Sequence, residues 1–395
     1  MGPLAGLKIV ELAGIGAGPH CAMMLADMGA EVVRVDRPAA SGLGVDVEPR
    51  FDLVLRGRHS LAIDLKRSEG RDVVLRMIDQ ADALIESFRP GVMERMGLGP
   101  DVCLSRNPRL VYGRLTGWGQ DGPYAQMAGH DINYIALTGA LHAIGPRNGP
   151  PVPPLNLVGD FGGGAVYCAF GIVSALLHAQ RTGQGQVVDA AMVDGAAGLL
   201  TMVVGFQRAG IWSDKRGDNI VDGGAPYYAV YGTSDGRYVS IGAMEDKFYA
   251  LLLDKLGLAN DMKMTPHTDR SLWDYQRETF SACFRKKTRD QWCTVLEGTD
   301  TCFAPVLTMA EAHEHPHLKA RRTYARLHGI DQPAPNPRFS VTRPTSEIPP
   351  AALGEHTKSV LGRWGFSDGA INELLRQKVV VQRTAAPAAV NTAAG

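Results

Sequence analysis

The strongest constraint on the fold is a strand, a glycine turn, a helix and a second strand, all within residues 8–35. Residues 8–12 (KIVEL) are short, apolar and rich in β-branched side chains, the composition of a buried strand. Residues 13–18 form a glycine-rich turn. Residues 19–28 read as a helix with Pro19 in its first turn and Gly29 ending it. Residues 31–35 (EVVRV) supply the second strand. Two strands joined through a helix run parallel, because only a long crossover returns the chain to the same end of a sheet. An α/β fold with a parallel sheet is the prediction.

The alternation continues. Residues 60–63, 83–86 and 110–114 read as strands, with a helix over 69–80. Residues 162–179 are apolar with many small side chains and read as a buried helix. Residues 185–189 lead as a short strand into a helix over 191–204. The texture changes near Gln207. Residues 228–233 and 238–241 flank the turn Ser234-Asp235-Gly236, and helices over 247–256 and 273–285 follow, which describes a smaller α+β unit. Residues 327–350 are rich in proline, lack periodicity and are predicted to run over a surface. Residues 358–364 and 368–377 read as helices, and residues 384–395 as a frayed tail.

Composition removes several function classes. Lys plus Arg (41) balance Asp plus Glu (41), so no basic excess exists for a nucleic-acid partner. The six cysteines, Cys21, Cys103, Cys168, Cys283, Cys293 and Cys302, form no CxxC pair and read as inert thiols of a reducing compartment. The N-terminus shows no basic region followed by an apolar run, and no apolar run is expected to span a bilayer, so the expected location is cytoplasmic with no membrane partner.

Three motifs invite chemistry. Gly14-Ile15-Gly16-Ala17-Gly18 after the first strand, with Asp36 ending the second, suggests a nicotinamide dinucleotide fingerprint. However, Pro19 breaks the GxGxxG spacing and Arg37 suits a phosphate better than a ribose. Glycines that only let the helix pack on the strand, or a crevice for another adenine nucleotide, fit as well. His130-Asp131 follows a loop rich in glycine and proline. Asp160 opens a glycine-rich helix start, either as an N-cap or as a carboxylate beside free N–H groups. His313-Glu314-His315-Pro316-His317 carries three histidines, but alternate residues on a helix diverge and Pro316 ends the element, so no metal is expected.

Taken together, residues 7–13, 25–34, 89–92, 116–123, 128–134, 156–164, 187–195, 222–228 and 242–248 resemble the family III CoA-transferase superfamily, and within it the α-methylacyl-CoA racemase branch. The resemblance runs to about Leu361. It implies a Rossmann-like large domain over 1–207, a linker over 208–225, a small domain over 226–318, a return segment over 319–380 completing the large domain, and a flexible tail over 381–395. It implies an interlocked homodimer with shared active sites. It also implies an isomerase of lipid metabolism that inverts the α-carbon of 2-methylacyl-CoA thioesters. His130 and Asp160 would be the two bases, His130 for the S substrate and Asp160 for the R substrate. Glu245 of the partner subunit would orient His130, and the Asp160 N–H would receive the enolate oxygen. Ile15, Gly16, Arg37, Lys66 and Arg89 would bind coenzyme A, which is part of the substrate, so no separate cofactor is expected. The competing activity is CoA transfer between carboxylates through an Asp160 acyl-enzyme. Met192, Met202, Met244 and Met309 are candidates either for an adaptable acyl surface or for ordinary packing.

Overall fold

The computed structural model describes residues 1–39, 42 and 44–383. They fall into two compact units. The first comprises Met1–Thr138, Leu155–Leu199 and the chain from Tyr324 onward; the second comprises Gly139–Pro154 and Leu200–Thr323.

A seven-stranded sheet organises the first unit. Its strands are β1 (Lys8–Leu12), β2 (Glu31–Asp36), β3 (Arg58–Ile63), β4 (Ala83–Glu86), β5 (Val111–Thr116) and β6 (Gln186–Ala191), closed at one edge by Val380–Val381. The spatial order is Val380–Val381, β3, β2, β1, β4, β5, β6. All neighbours are parallel except the short edge strand, which runs antiparallel to β3 with Val380 opposite Ile63. The order reverses between β1 and β4, and such a switch point opens a crevice at the carboxyl ends of the strands.

Alternation along β1 shows why the sheet needs helices on both faces. Val10 and Leu12 point into one core with Val33, Leu61 and Ile63, covered by Val73, Val74 and Met77 of helix Ser68–Ile78 and by Leu361 and Trp364 of the return segment. Ile9 points into the opposite core with Cys21 and Leu25 of helix Ala17–Asp27 and with Ile172 and Leu176 of helix Tyr167–Thr182.

Several expectations are corrected. Residues 327–350 are not all irregular, because Tyr324–Leu327 and Ile330–Pro333 form an antiparallel hairpin. Its two-residue turn places His328 and Gly329 at φ 52° and 82°, the left-handed pair that a tight hairpin requires. The segment taken as a linker, 208–225, is an ordered part of the second unit. Buried Asn219 accepts from the Ser213 N–H at 2.7 Å and donates to the Ser213 carbonyl, while Asp222 accepts from the N–H groups of Gly217, Asn219 and Gly224. The first part of the large unit stops at Leu199 rather than at 207, and it omits Gly139–Pro154. That insertion leaves through the left-handed Gly139 and is bound by Arg216, which donates to the carbonyls of His142 and Gly149. Val381, assigned to the flexible tail, lies in the edge strand; residues 384–395 lie outside the described residues.

The second unit holds a three-stranded antiparallel sheet of Tyr228–Gly232, Tyr238–Gly242 and Phe303–Val306, with the middle strand in the centre. Its core is aromatic, built on Tyr231, Tyr249, Phe280, Phe284 and Trp292.

The apolar helix read over 162–179 is longer than expected: Leu157–Thr182 is a continuous helical stretch of 26 residues, and its most apolar 18-residue window has a mean hydropathy of 1.5. One side packs on β5, β6 and helix Met192–Leu199. Another leaves Leu157, Tyr167, Phe170 (73 % exposed) and Leu177 uncovered within this chain.

Candidate active site

The stretch that opens this long helix, Leu157–Val166, is wound as a π-helix. Its N-cap is Asn156, so Asp160 lies inside the first turn, which removes the N-cap alternative. The widened turn suits the glycines that follow. A Cβ on Gly163 would come within 2.6 Å of the Ala196 nitrogen, and one on Gly195 would run into the Gly163 carbonyl. Glycine at both positions lets helix Met192–Leu199 touch the π-helix backbone directly. π-Helical winding is rare and frequently marks functional sites.

Asp160 faces a cavity of about 350 Å³ at the switch point. Ile15 and Gly16 line it from the turn after β1, Arg89 and Pro90 from beyond β4, and Trp118 from beyond β5. His130, Tyr134 and Met192 complete the wall. Gly16 has φ 68°, and a Cβ there would lie 3.2 Å from Asp160 Oδ2, so the first glycine turn is shaped against the carboxylate. His130 is the exposed residue preceding helix Asp131–Leu137, and its backbone N–H donates to Asn133 Oδ1 at 3.0 Å.

The Asp160 carboxylate is half-buried and accepts from Asn156 Nδ2 at 3.2 Å. Burial pushes its pKa above the ordinary aspartate range. The Asn156 hydrogen bond opposes that rise, nearby Asp131 adds to it, and His130 works against it. A carboxylate whose pKa is raised by burial accepts a proton more readily and, once protonated, can return it. Tyr134 lies against the same site, its hydroxyl donating to the Gly129 carbonyl. Burial, reinforced by the Asp160 charge, raises its phenol to about 12 and keeps it neutral.

Asp131 carries a structural task that the sequence did not reveal. It is 6 % exposed, and its Oδ1 accepts from the backbone N–H groups of both Gly159 and Asp160 at 2.7 Å. The Asp160 N–H expected to receive an enolate oxygen is therefore already bonded, and an enolate can use it only by sharing it with Asp131 or displacing Asp131. The signal was the adjacent His-Asp pair; its meaning depends on a contact across 28 residues.

The remaining predicted residues separate by place. Arg37 follows β2 and Lys66 follows β3, so both are exposed at the carboxyl edge of the sheet, outside the cavity wall. Asp36, the candidate ribose ligand, is committed internally: it accepts from Arg34 Nε at 2.9 Å and from Ser60 Oγ at 2.5 Å. This removes the main support for a nicotinamide reading. Glu245 lies in the second unit, exposed, as the N-cap residue of helix Asp246–Leu256. Of the four methionines, Met192 is buried at the cavity wall, whereas Met202, Met244 and Met309 are exposed.

Comparison with known proteins gives one consistent answer. Residues 4–357 match the family model of CoA-transferase family III. The chain is 45 % identical over 381 residues to the alpha-methylacyl-CoA racemase of Mus musculus, covering 95 % of this chain and 97 % of that protein. It is 42 % identical over 382 residues to the alpha-methylacyl-CoA racemase of Homo sapiens, with the same coverage. Among solved structures, a CAIB/BAIF family protein from Brucella suis superposes with a TM-score of 0.79 at 28 % identity, covering 92 % of this chain and 99 % of that one.

Proposed function

The chain belongs to CoA-transferase family III, and within it we propose that it is an isomerase inverting the α-carbon of 2-methylacyl-CoA thioesters. The observation that carries this reading is that His130 and Asp160, an imidazole and a carboxyl group, both of types that carry protons in catalysis, face one cavity at the switch point. CoA transfer needs the aspartate as nucleophile and has no use for a histidine there.

The α-proton of a thioester is weakly acidic, and its removal needs a placed base and a stabilised enolate. His130, neutral, removes the proton from the S substrate while protonated Asp160 delivers one to the opposite face. From the R substrate the roles exchange. Two proton carriers and an acceptor for the enolate charge are all this chemistry demands, so it requires neither a redox group nor a metal. Ile15 and Gly16 line the crevice that receives the coenzyme, Arg37 and Arg89 meet its phosphates, and Lys66 lies near its adenine nucleotide. Glu245 of a partner subunit orients His130 through the second ring nitrogen, as the third member of a catalytic triad does.

That last assignment requires a homodimer. Phe170, Leu177, Leu157 and Leu137 are all more than half exposed, an apolar group of the kind a second copy covers. Phe170→Asp is expected to convert the dimer to monomer in sedimentation and to reduce turnover with it. An unchanged dimer would place the interface elsewhere.

The experiment that tests the function starts from each pure epimer of a 2-methylacyl-CoA. Both should reach the same near-equal mixture with acid and coenzyme still joined. If the epimers persist while coenzyme moves to an added carboxylate, Asp160 is a nucleophile and the transferase reading replaces this one.

A further inference from the structure

Among the described residues no hydrogen bond holds the Glu245 carboxylate, but the peptide that joins Met244 to Glu245 is gripped from behind by a buried histidine. His267 is 4 % exposed. Its Nε2 lies 2.9 Å from the Met244 carbonyl, which can only accept, so this nitrogen carries the proton. That carbonyl belongs to the peptide joining Met244 to Glu245. The other ring nitrogen, Nδ1, lies 3.5 Å from Asp246 Oδ1. One imidazole thus touches the residues on both sides of Glu245.

The ring itself is fixed. It stacks on Tyr249 at 4.6 Å between centroids and meets the edge of Tyr227 at 4.6 Å. The His267 carbonyl accepts from Trp273 Nε1 at 2.9 Å. Tyr249 closes the circuit: its backbone N–H donates to the Glu245 carbonyl at 3.0 Å, and its hydroxyl donates to the Met264 carbonyl at 2.9 Å. Orienting the 244–245 peptide sets the direction of the Glu245 Cα–Cβ bond, and all of these contacts lie within the second unit.

We propose that His267 is a positioning residue for the racemase reaction, holding the Met244–Glu245 peptide so that Glu245 presents its carboxylate to the catalytic histidine. This rests on the assignment of Glu245 made above. The Met244 bond is the one that matters, which makes a sharp comparison possible. Glutamine at 267 carries its amide nitrogen where Nε2 was, and asparagine carries it where Nδ1 was. The two variants are alike in polarity, and only one reaches Met244.

The test measures α-proton exchange from each epimer in the dimeric full-length enzyme. His267→Asn is expected to slow exchange from the S epimer by about ten- to a hundredfold, through kcat with KM kept, and to affect the R epimer less. His267→Gln should stay near wild type. Adding His267→Asn to Glu245→Ala should cost nothing further. Equal rates for the Gln and Asn variants, or losses that multiply in the double variant, overturn the positioning role while leaving Glu245 in place. A Glu245→Ala enzyme that exchanges both epimers at full rate overturns the underlying site assignment instead.

Discussion

On the β5–β6 side of the crevice, Asp160 is half-buried, its carboxylate held by Asn156 and its N–H by Asp131. On the β2–β3 side, Arg37 and Lys66 stand exposed beyond the ends of their strands. Both sides descend from the same parallel sheet, yet one is preorganised and the other is a rim in water. Proton transfer needs its groups fixed before the reaction and partly desolvated, which the π-helix and the buried Asp131 supply. Phosphate binding needs only charge within reach, and exposed cations give a modest, salt-sensitive contribution. The contrast implies that substitutions in the wall change rates, whereas substitutions on the rim change affinity.

The largest effects should come from the wall. His130→Ala is expected to slow exchange from the S epimer by about a hundred- to ten-thousandfold, and Asp160→Ala to do the same for the R epimer. Single-turnover exchange in heavy water reads each direction. Equal losses from both epimers in both variants would break the two-base assignment. A change in pH should act on both directions together. Burial raises the Asp160 pKa, so its carboxylate form is lost as pH falls through that raised value. The form that accepts the S epimer and the form that accepts the R epimer differ only in which of the two groups holds one proton, so kcat/KM for both conversions should fall about tenfold per pH unit below that value. Profiles that diverge between the epimers contradict the two-base assignment.

On the rim, Arg37→Ala and Lys66→Ala should each raise KM by about fivefold, equivalent to ~1 kcal/mol, with kcat kept. The shift should shrink as salt is added. Arg89 lines the cavity, unlike the other two, so Arg89→Ala should lower kcat as well; a change in KM alone would move it from wall to rim. The smallest effect on turnover is expected from Gly16→Ala. Gly16 has φ 68° and ψ −116°, a backbone that L-residues rarely adopt, and the new methyl group would press on Asp160. A slightly lower Tm with a slower R-epimer exchange is expected.

Legibility followed the range of the interactions. The first βαβ unit could be read because period and turn chemistry are local: KIVEL, the glycine turn and EVVRV each announce themselves within a few residues. The π-helix could not, since ten residues wound with one extra residue per turn leave no distinct hydrophobic period. The hairpin at 324–333 was hidden by four-residue strands and by a turn in which only Gly329 signals a left-handed backbone. His130 and Asp160 were reached through family resemblance, and the structure sets them on one cavity wall. The partners of Asp160 were not reached, because Asp131 acts through a long-range contact. His267 lies 22 residues beyond Glu245, and nothing in the intervening sequence marks it.

The most direct test of the account is proton NMR of one pure 2-methylacyl-CoA epimer with the enzyme in heavy water. The account predicts that the α-proton signal disappears as the other epimer grows in, with the thioester intact. An α-proton that persists while an added carboxylate acquires the coenzyme would contradict it.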